Sequence, residues 1–151
     1  MGAMYEKDVI LWSLEQAKFL RDGKFSSLDI EHLADEIEDV GKSEKREFAN
    51  RMAVLLAHLL KWHHQPERRQ EGGRSLRSWH STIKIQRERL ALAIKATPSL
   101  KVSLRNADWL QEAWLEAVEQ AGKETGIDAG DFGEVCPWPM DQVLASGWMP
   151  E

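Results

Sequence analysis

The stretch that most constrains the fold covers residues 43–66 and reads SEKREFANRMAVLLAHLLKWHHQP. It opens on a serine followed by glutamates and closes on a proline, as the two ends of a helix require. Apolar side chains recur between these ends every three or four residues, at Phe48, Met52, Leu55, Leu56, Leu59 and Leu60. This spacing places them on one helical face, so the stretch is predicted to be the central core helix.

Two helices are predicted before it, over residues 5–22 and 28–40. Their expected buried faces consist of Ile10, Leu11, Leu14, Ala17 and Leu20 in the first helix and of Leu28, Leu33, Ile37 and Val40 in the second. Glycine ends helices readily, so Gly41 is expected to stop the second one. A connection made of Gly41 and Lys42 then predicts an antiparallel hairpin with the central helix.

After the central helix, residues 65–75 hold a proline and two glycines and are predicted to form a mobile loop. Helices are then expected from about 75 to 96 and from 100 to 125, separated at Pro98. Residues 127–151 form an aromatic and proline-rich tail with room for one short helix. The predicted fold class is therefore all-α, a compact bundle of four to five main helices with this tail packed on it.

The length of 151 residues fits a single domain over residues 1–151, in which residues 1–4 are expected to be disordered or to derive from cloning. The single Cys136 rules out an internal disulfide and favours a reducing compartment. No apolar run approaches a membrane span of about 20 residues. The expected location is the cytoplasm, with no membrane partner.

Charge is unevenly distributed along the chain, whose net charge is −5. Residues 1–41 carry −6, residues 42–105 carry +10 and residues 106–151 carry −9. Such segregation indicates either a basic face for an anionic partner or acidic helices packed on a basic middle, within one chain or across a dimer. The second interpretation is favoured.

Several blocks occur in the order YEKDVILWSLEQAKFLRDGKF, LDIEHLADEIEDVGKSEKRE, LLAHLLKWHHQPE and SWHSTIKIQRERL, followed by TPSL and CPW. In these blocks the chain resembles the bacterial family known as domain of unknown function 29, over nearly its whole length. The resemblance implies a compact soluble helical domain and brings no activity, cofactor or substrate. The matching blocks include Glu36, His58, Trp62, Trp79, Gln86 and Arg87.

The first candidate site is a polar core site that combines His32, Asp35 and Glu36 with His58. The first three share a helical face, and the predicted hairpin would bring His58 beside them. Such a set could hold zinc or iron, although the paired Glu-x-x-His motifs of di-iron bundles are missing. The favoured interpretation is a buried structural His58 that is held by Glu36 or another inner carboxylate, and the identity of any metal stays unknown.

Two further candidates lie beside the predicted loop. His63, His64 and His80 could approach each other there and bind a metal ion, although histidines at a helix end ordinarily face solvent. A basic strip for anion binding consists of Arg68, Arg69, Arg74, Arg77, Lys84 and Arg87, and it continues to Arg89. Arginines next to Trp79 and His80 suit phosphate or nucleic acid, but the acidic pI argues against nucleic acid.

The leading functional hypothesis is a non-enzymatic module for protein association, a homodimer or a subunit of a bacterial complex, with no cofactor. Seven tryptophans support it, because either Trp109 or Trp148 could mark an exposed aromatic patch for a partner or a second subunit. The alternatives are a metal- or carboxylate/histidine-dependent enzyme centred on Glu36 and His58, and nucleic-acid or phosphate binding through the Arg68 to Arg89 strip. No nucleophile motif supports catalysis.

Overall fold

The computed structural model describes residues 4–71 and 73–151, and all regular secondary structure within them is helical. The helices are α1 (Val9–Arg21), α2 (Ile30–His64), α3 (Pro66–Glu71), α4 (Arg74–Ala96), α5 (Ala107–Thr125) and α6 (Met140–Val143). Turns of 3₁₀ helix cover Phe25–Ser27, Pro98–Arg105 and Ala129–Phe132. The predicted all-α class is confirmed. Residues 1–3, expected to be disordered or to derive from cloning, lie outside the described residues.

Side-chain caps and glycines set the ends of the helices. The Asp8 carboxylate accepts a hydrogen bond from the Leu11 amide at 3.0 Å and so caps α1. Asn106 caps α5 in the same way through the Trp109 amide, and Gly126 ends α5 with a left-handed φ of 76°. Helix α5 therefore begins later than the predicted residue 100, because the 3₁₀ turn and the Asn106 cap come first.

Helix α2 runs without a break from Ile30 to His64, so the predicted hairpin at Gly41 and Lys42 is wrong. Gly23, which follows α1, adopts a φ of 72°, whereas Gly41 keeps a negative φ. One glycine inside a helix costs only about 1 kcal/mol. A turn would instead leave unpaired backbone groups at two new helix ends. The serine and glutamates after Gly41 therefore continue the helix.

The segment predicted to be a loop contains α3 and the start of α4. Proline at the first position of a helix costs no hydrogen bond, because a backbone N–H at that position has no partner within the helix. Pro66 thus ends α2 and begins α3. Gly73, with a φ of 84°, precedes α4. The mobility of this segment stays a prediction.

The chain divides into two compact units, unit 1 (Met1–Glu44) and unit 2 (Lys45–Glu151). Unit 1 contains α1 and the first part of α2. Unit 2 contains the rest of α2 and everything after it. The expectation of a single domain stays a prediction.

The core of unit 2 is built on the face of α2 that the sequence predicts. All six predicted residues, Phe48, Met52, Leu55, Leu56, Leu59 and Leu60, are at most 1% exposed. Against them pack Ile83 and Leu90 of α4, Trp114 and Val118 of α5, and Phe132 and Val143 of the tail. The predicted packing of the tail is confirmed.

Trp109 and Trp148, the two candidates for an exposed aromatic patch, pack in or against this core instead. Trp109 stacks on Phe48 with ring centroids 5.2 Å apart and donates its indole N–H to the Lys45 carbonyl. Trp148 is half-buried and lies 5.9 Å from the Trp138 ring. The expectation of an aromatic patch is therefore wrong, because both indoles have partners inside unit 2.

Candidate functional site

Unit 1 is held together by a small cluster of aromatic and polar side chains. The Tyr5 ring stacks on His32 at 4.1 Å, and its hydroxyl donates to Glu36. The buried Trp12 donates its indole N–H to Asp29 at 3.0 Å, and the same carboxylate bonds the His32 ring at 2.7 Å. Two predicted site residues, His32 and Glu36, thus have partners that join the N-terminal segment and α1 to α2.

These contacts shift the titration of the cluster. The hydrogen bond from His32 lowers the pKa of Asp29, and the same bond raises the pKa of His32. The hydrogen bond to Glu36 raises the pKa of Tyr5 to about 12, because ionisation would place two negative oxygens together. Asp35 is exposed. The contacts of this cluster thus hold α1 and α2 together.

His58 lies in unit 2 and has different partners from those predicted. Its Nδ1 bonds the Val54 carbonyl at 2.8 Å, and its Nε2 lies 3.5 Å from the Lys61 ammonium. Lys61 is 7% exposed and forms an ion pair with Glu124. Burial lowers the pKa of His58, and the charge of Lys61 adds to the effect. His58 is therefore a neutral acceptor next to a buried lysine.

The predicted polar core site required the hairpin at Gly41 and Lys42. That hairpin does not form, because α2 is continuous there. Glu36 bonds Tyr5 in unit 1 and His58 bonds Val54 in unit 2, so each has its own local partner. Within residues 4–71 and 73–151, no group of three or more His, Cys, Asp and Glu side chains is placed to hold a metal ion.

The histidines near the end of α2 pack on aromatic rings. His64 meets Phe132 edge-on at 5.0 Å, and His63 lies 6.1 Å from Trp138. His80 meets Trp62 at 4.7 Å. These contacts give each of the three histidines a packing role.

The basic strip divides into exposed and buried parts. Arg68, Arg77 and Lys84 are exposed, whereas Arg87 is only 8% exposed. The side chains of Arg69 and Arg74 lie outside the described residues. Lys84 and Arg87, one turn apart on α4, line the same cavity between α4 and the tail.

Arg87 ties the tail to α4. Its Nε donates to the Val143 carbonyl at 2.9 Å, and its Nη2 donates to the Trp148 carbonyl at 2.6 Å. Burial lowers the pKa of Arg87. Among the described residues no carboxylate forms an ion pair with it, so the guanidinium brings an unneutralised charge to the cavity wall.

Unit 1 exposes most of the apolar residues that the sequence predicts to be buried. Ten of the fifteen large exposed apolar side chains among the described residues belong to it. Ile10 and Leu14 are 72% and 64% exposed, on the side of α1 opposite Trp12. Ile30 and Ile37, two turns apart on α2, are 69% and 71% exposed. The predicted buried faces of these helices are thus wrong for a single copy.

Two apolar pairs have matching spacing and opposite charge around them. The α2 stripe consists of Ile30 and Ile37, with Glu31 and Glu38 directly beside them, all exposed. The α4 stripe consists of Ile85 and Leu92, which are 41% and 65% exposed. Exposed Arg89 and Lys95 flank the α4 stripe. Both stripes repeat after seven residues, the spacing by which two helices pack lengthwise.

The fold and these features define an all-α protein with an acidic, apolar N-terminal unit and a larger unit that has a cavity with a cationic wall. The chain belongs to the family described as domain of unknown function DUF29, whose model matches residues 4–149. No curated protein and no solved structure is significantly similar to it. Of the described helices, none combines the length and apolar character needed to cross a membrane.

Proposed function

We propose that the protein acts by association and forms a homodimer, in which the α2 stripe of each copy packs on the α4 stripe of the other. The observation that carries this proposal is the exposure of apolar residues at regular helical spacing in unit 1. Such spacing is typical of a face that is buried, and burying each large aliphatic side chain stabilises by about 1.5–3 kcal/mol.

Charge favours a second copy as the occupant of the α2 stripe. Residues 1–44 carry a net charge of −6, so packing two α2 stripes on each other would place like charges together. The α4 stripe instead offers apolar residues beside Arg89 and Lys95. In a two-fold dimer each such contact occurs twice, which doubles the buried apolar area.

The other hypotheses have less support. The enzyme centred on Glu36 and His58 lacks an observation in its favour, since both side chains have structural partners. Nucleic-acid binding would use Arg68, Arg77 and Lys84 on a chain whose pI is about 5.6, which disfavours a polyanionic partner.

The proposed location is the cytoplasm of a bacterium. Burial raises the pKa of the Cys136 thiol, and an unreactive lone thiol suits that reducing compartment.

The test is sedimentation velocity from micromolar to hundreds of micromolar protein. We expect a dimer that dissociates on dilution, and that weakens with added salt because its stripes carry opposite charges. Ile37→Glu and Leu92→Glu should each give a monomer, since each places a charge in the same contact. The matched control is Leu115→Glu, at a residue of α5 that is 57% exposed, and it should remain dimeric.

A charge exchange tests the pairing itself. Glu38→Lys alone should weaken the dimer, and adding Arg89→Glu to the same chain should restore it, since opposite charges meet again. A protein that is monomeric at every concentration would contradict the proposal. So would a dimer that persists in both Ile37→Glu and Leu92→Glu.

A further inference from the structure

The cavity between α4 and the tail is large enough for a small molecule. Its volume is about 650 Å³, within the range of roughly 300–1,000 Å³ found for ligand pockets. Ile83 and Ala91 of α4 form part of its wall, and Leu144 and Met149 of the tail form another part. An apolar body would therefore find apolar contacts on two sides.

The buried guanidinium of Arg87 supplies the polar end of this cavity. A guanidinium has five N–H donors, and the two recorded bonds go to the Val143 and Trp148 carbonyls. Among the described residues, the only side-chain N or O atom that is sealed from solvent and unpaired is Gln86 Oε1. The Nη1 atom of Arg87, which forms no hydrogen bond with those residues, is therefore not sealed from solvent.

The charges around the cavity limit the class of ligand. Lys84 and Arg87 provide two positive charges, and exposed Glu88 on the same wall offsets one of them. The remaining single positive charge suits a monoanion better than a phosphate dianion or a nucleic-acid backbone. His80, also at the wall, adds a hydrogen-bonding group.

A buried charge without a counter-ion is costly, and a carboxylate that reaches it forms short, charge-assisted hydrogen bonds. We propose that this cavity binds a small organic carboxylate with an apolar body, whose carboxylate lies against Arg87 and Lys84 and whose body contacts Ile83, Leu144 and Met149. This site is separate from the α2 and α4 stripes, and its test does not depend on the dimer.

The probes are octanoate, 1-octanol and inorganic phosphate, each titrated into the full chain by isothermal calorimetry. Octanoate should bind at one site per chain with a Kd of about 10–1,000 μM, as expected for a ligand of its size. Octanol lacks the carboxylate and should bind at least about tenfold more weakly, the loss expected when a charged hydrogen bond is removed. Phosphate lacks the apolar body and should give no saturable heat.

Four variants locate the ligand. Ala91→Phe fills the cavity from an exposed position and should abolish octanoate binding. Lys84→Met should weaken it about fivefold to tenfold. Arg77→Met removes one positive charge from the same helix at an exposed residue that does not line the cavity, and it should change the Kd less than about twofold. Arg87→Met should abolish binding, and circular dichroism will report whether the helices persist, because Arg87 also anchors the tail.

Several results would overturn the inference. Octanoate without saturable heat at millimolar concentration would remove the site. Equal affinity for octanol would make the cavity a purely apolar one, and equal affinity for phosphate would make it a simple anion site. Unchanged octanoate binding in Ala91→Phe, a variant that leaves Arg87 and its anchoring bonds intact, would place the ligand elsewhere.

Discussion

Replacing Glu124 with glutamine should destabilise unit 2, and the structure gives the size of the effect. Glu124 is the carboxylate that pairs with the buried Lys61. Burial alone would raise the pKa of Glu124, but the hydrogen bond and charge of Lys61 outweigh it and lower the pKa. Glutamine keeps the shape of the side chain and removes the charge, so the Lys61 ammonium would remain buried with the neutral His58 as its nearest other partner.

The expected cost is about 2 kcal/mol. Breaking a fully buried ion pair costs roughly 3–5 kcal/mol, because one charge remains without compensation. The Lys61 side chain is buried, but the Glu124 side chain is 45% exposed. Solvent therefore reaches the ion pair and reduces the free-energy cost of breaking it. Halving the buried-pair figure gives roughly 1.5–2.5 kcal/mol.

Urea unfolding followed by tryptophan fluorescence measures this cost. With a slope of about 1–3 kcal/mol per molar urea, the Glu124→Gln midpoint should fall by about 1 M. Adding Lys61→Met should recover most of the loss, since methionine fills the space without a charge. The control Glu119→Gln breaks the exposed pair with Lys123 on the same helix and should cost under about 0.5 kcal/mol. Equal stability of the Glu124→Gln single variant and the double variant would refute the reasoning.

Three more predictions test local structure. Tyr5 is the only tyrosine, so the ultraviolet absorbance of tyrosinate should titrate near pH 12, and at a lower pH in Glu36→Gln, because the charged acceptor of the hydroxyl is then gone. By NMR, His32 should titrate above about 6.5 and His58 below it. His32 therefore adds stability that is lost as pH rises through its raised pKa, whereas the contribution of His58 is lost as pH falls below about 6.5. Gly41→Ala should stabilise by about 0.5–1 kcal/mol if α2 is continuous, whereas a left-handed turn would make it destabilising.

Apolar periodicity predicted the core of unit 2 because the information needed is local. One face of the helix from Phe48 to Leu60 is uniformly apolar, and removing that face from water is strongly favourable. The caps of α1 and α5 are likewise short-range signals. Helix ends were harder to predict at Gly41 and Pro66. A glycine can end a helix or lie inside one, and a proline can end one helix and begin the next.

The partners of the polar side chains could not be predicted from spacing. Asp29 meets Trp12 across 17 residues, and Lys61 meets Glu124 across 63. Such pairs depend on how helices meet, which single-sequence periodicity does not contain. The sequence did include Lys84 and Arg87 in a longer basic strip. It gave no signal that the tail would cover Arg87 and leave a cavity beside it.

Two predictions about α2 were wrong for one physical reason: the hairpin at Gly41 and the burial of Ile37 and Val40. A turn at Gly41 would have folded Ile37 and Val40 back against the following helix, where the sequence expects them to be buried. Since α2 continues, no such hairpin covers them, and both remain more than 60% exposed. Their apolar spacing still requires an explanation, because exposed aliphatic residues gain nothing from helical periodicity. A second copy that supplies Ile85 and Leu92 between basic side chains would provide the burial that the spacing predicts.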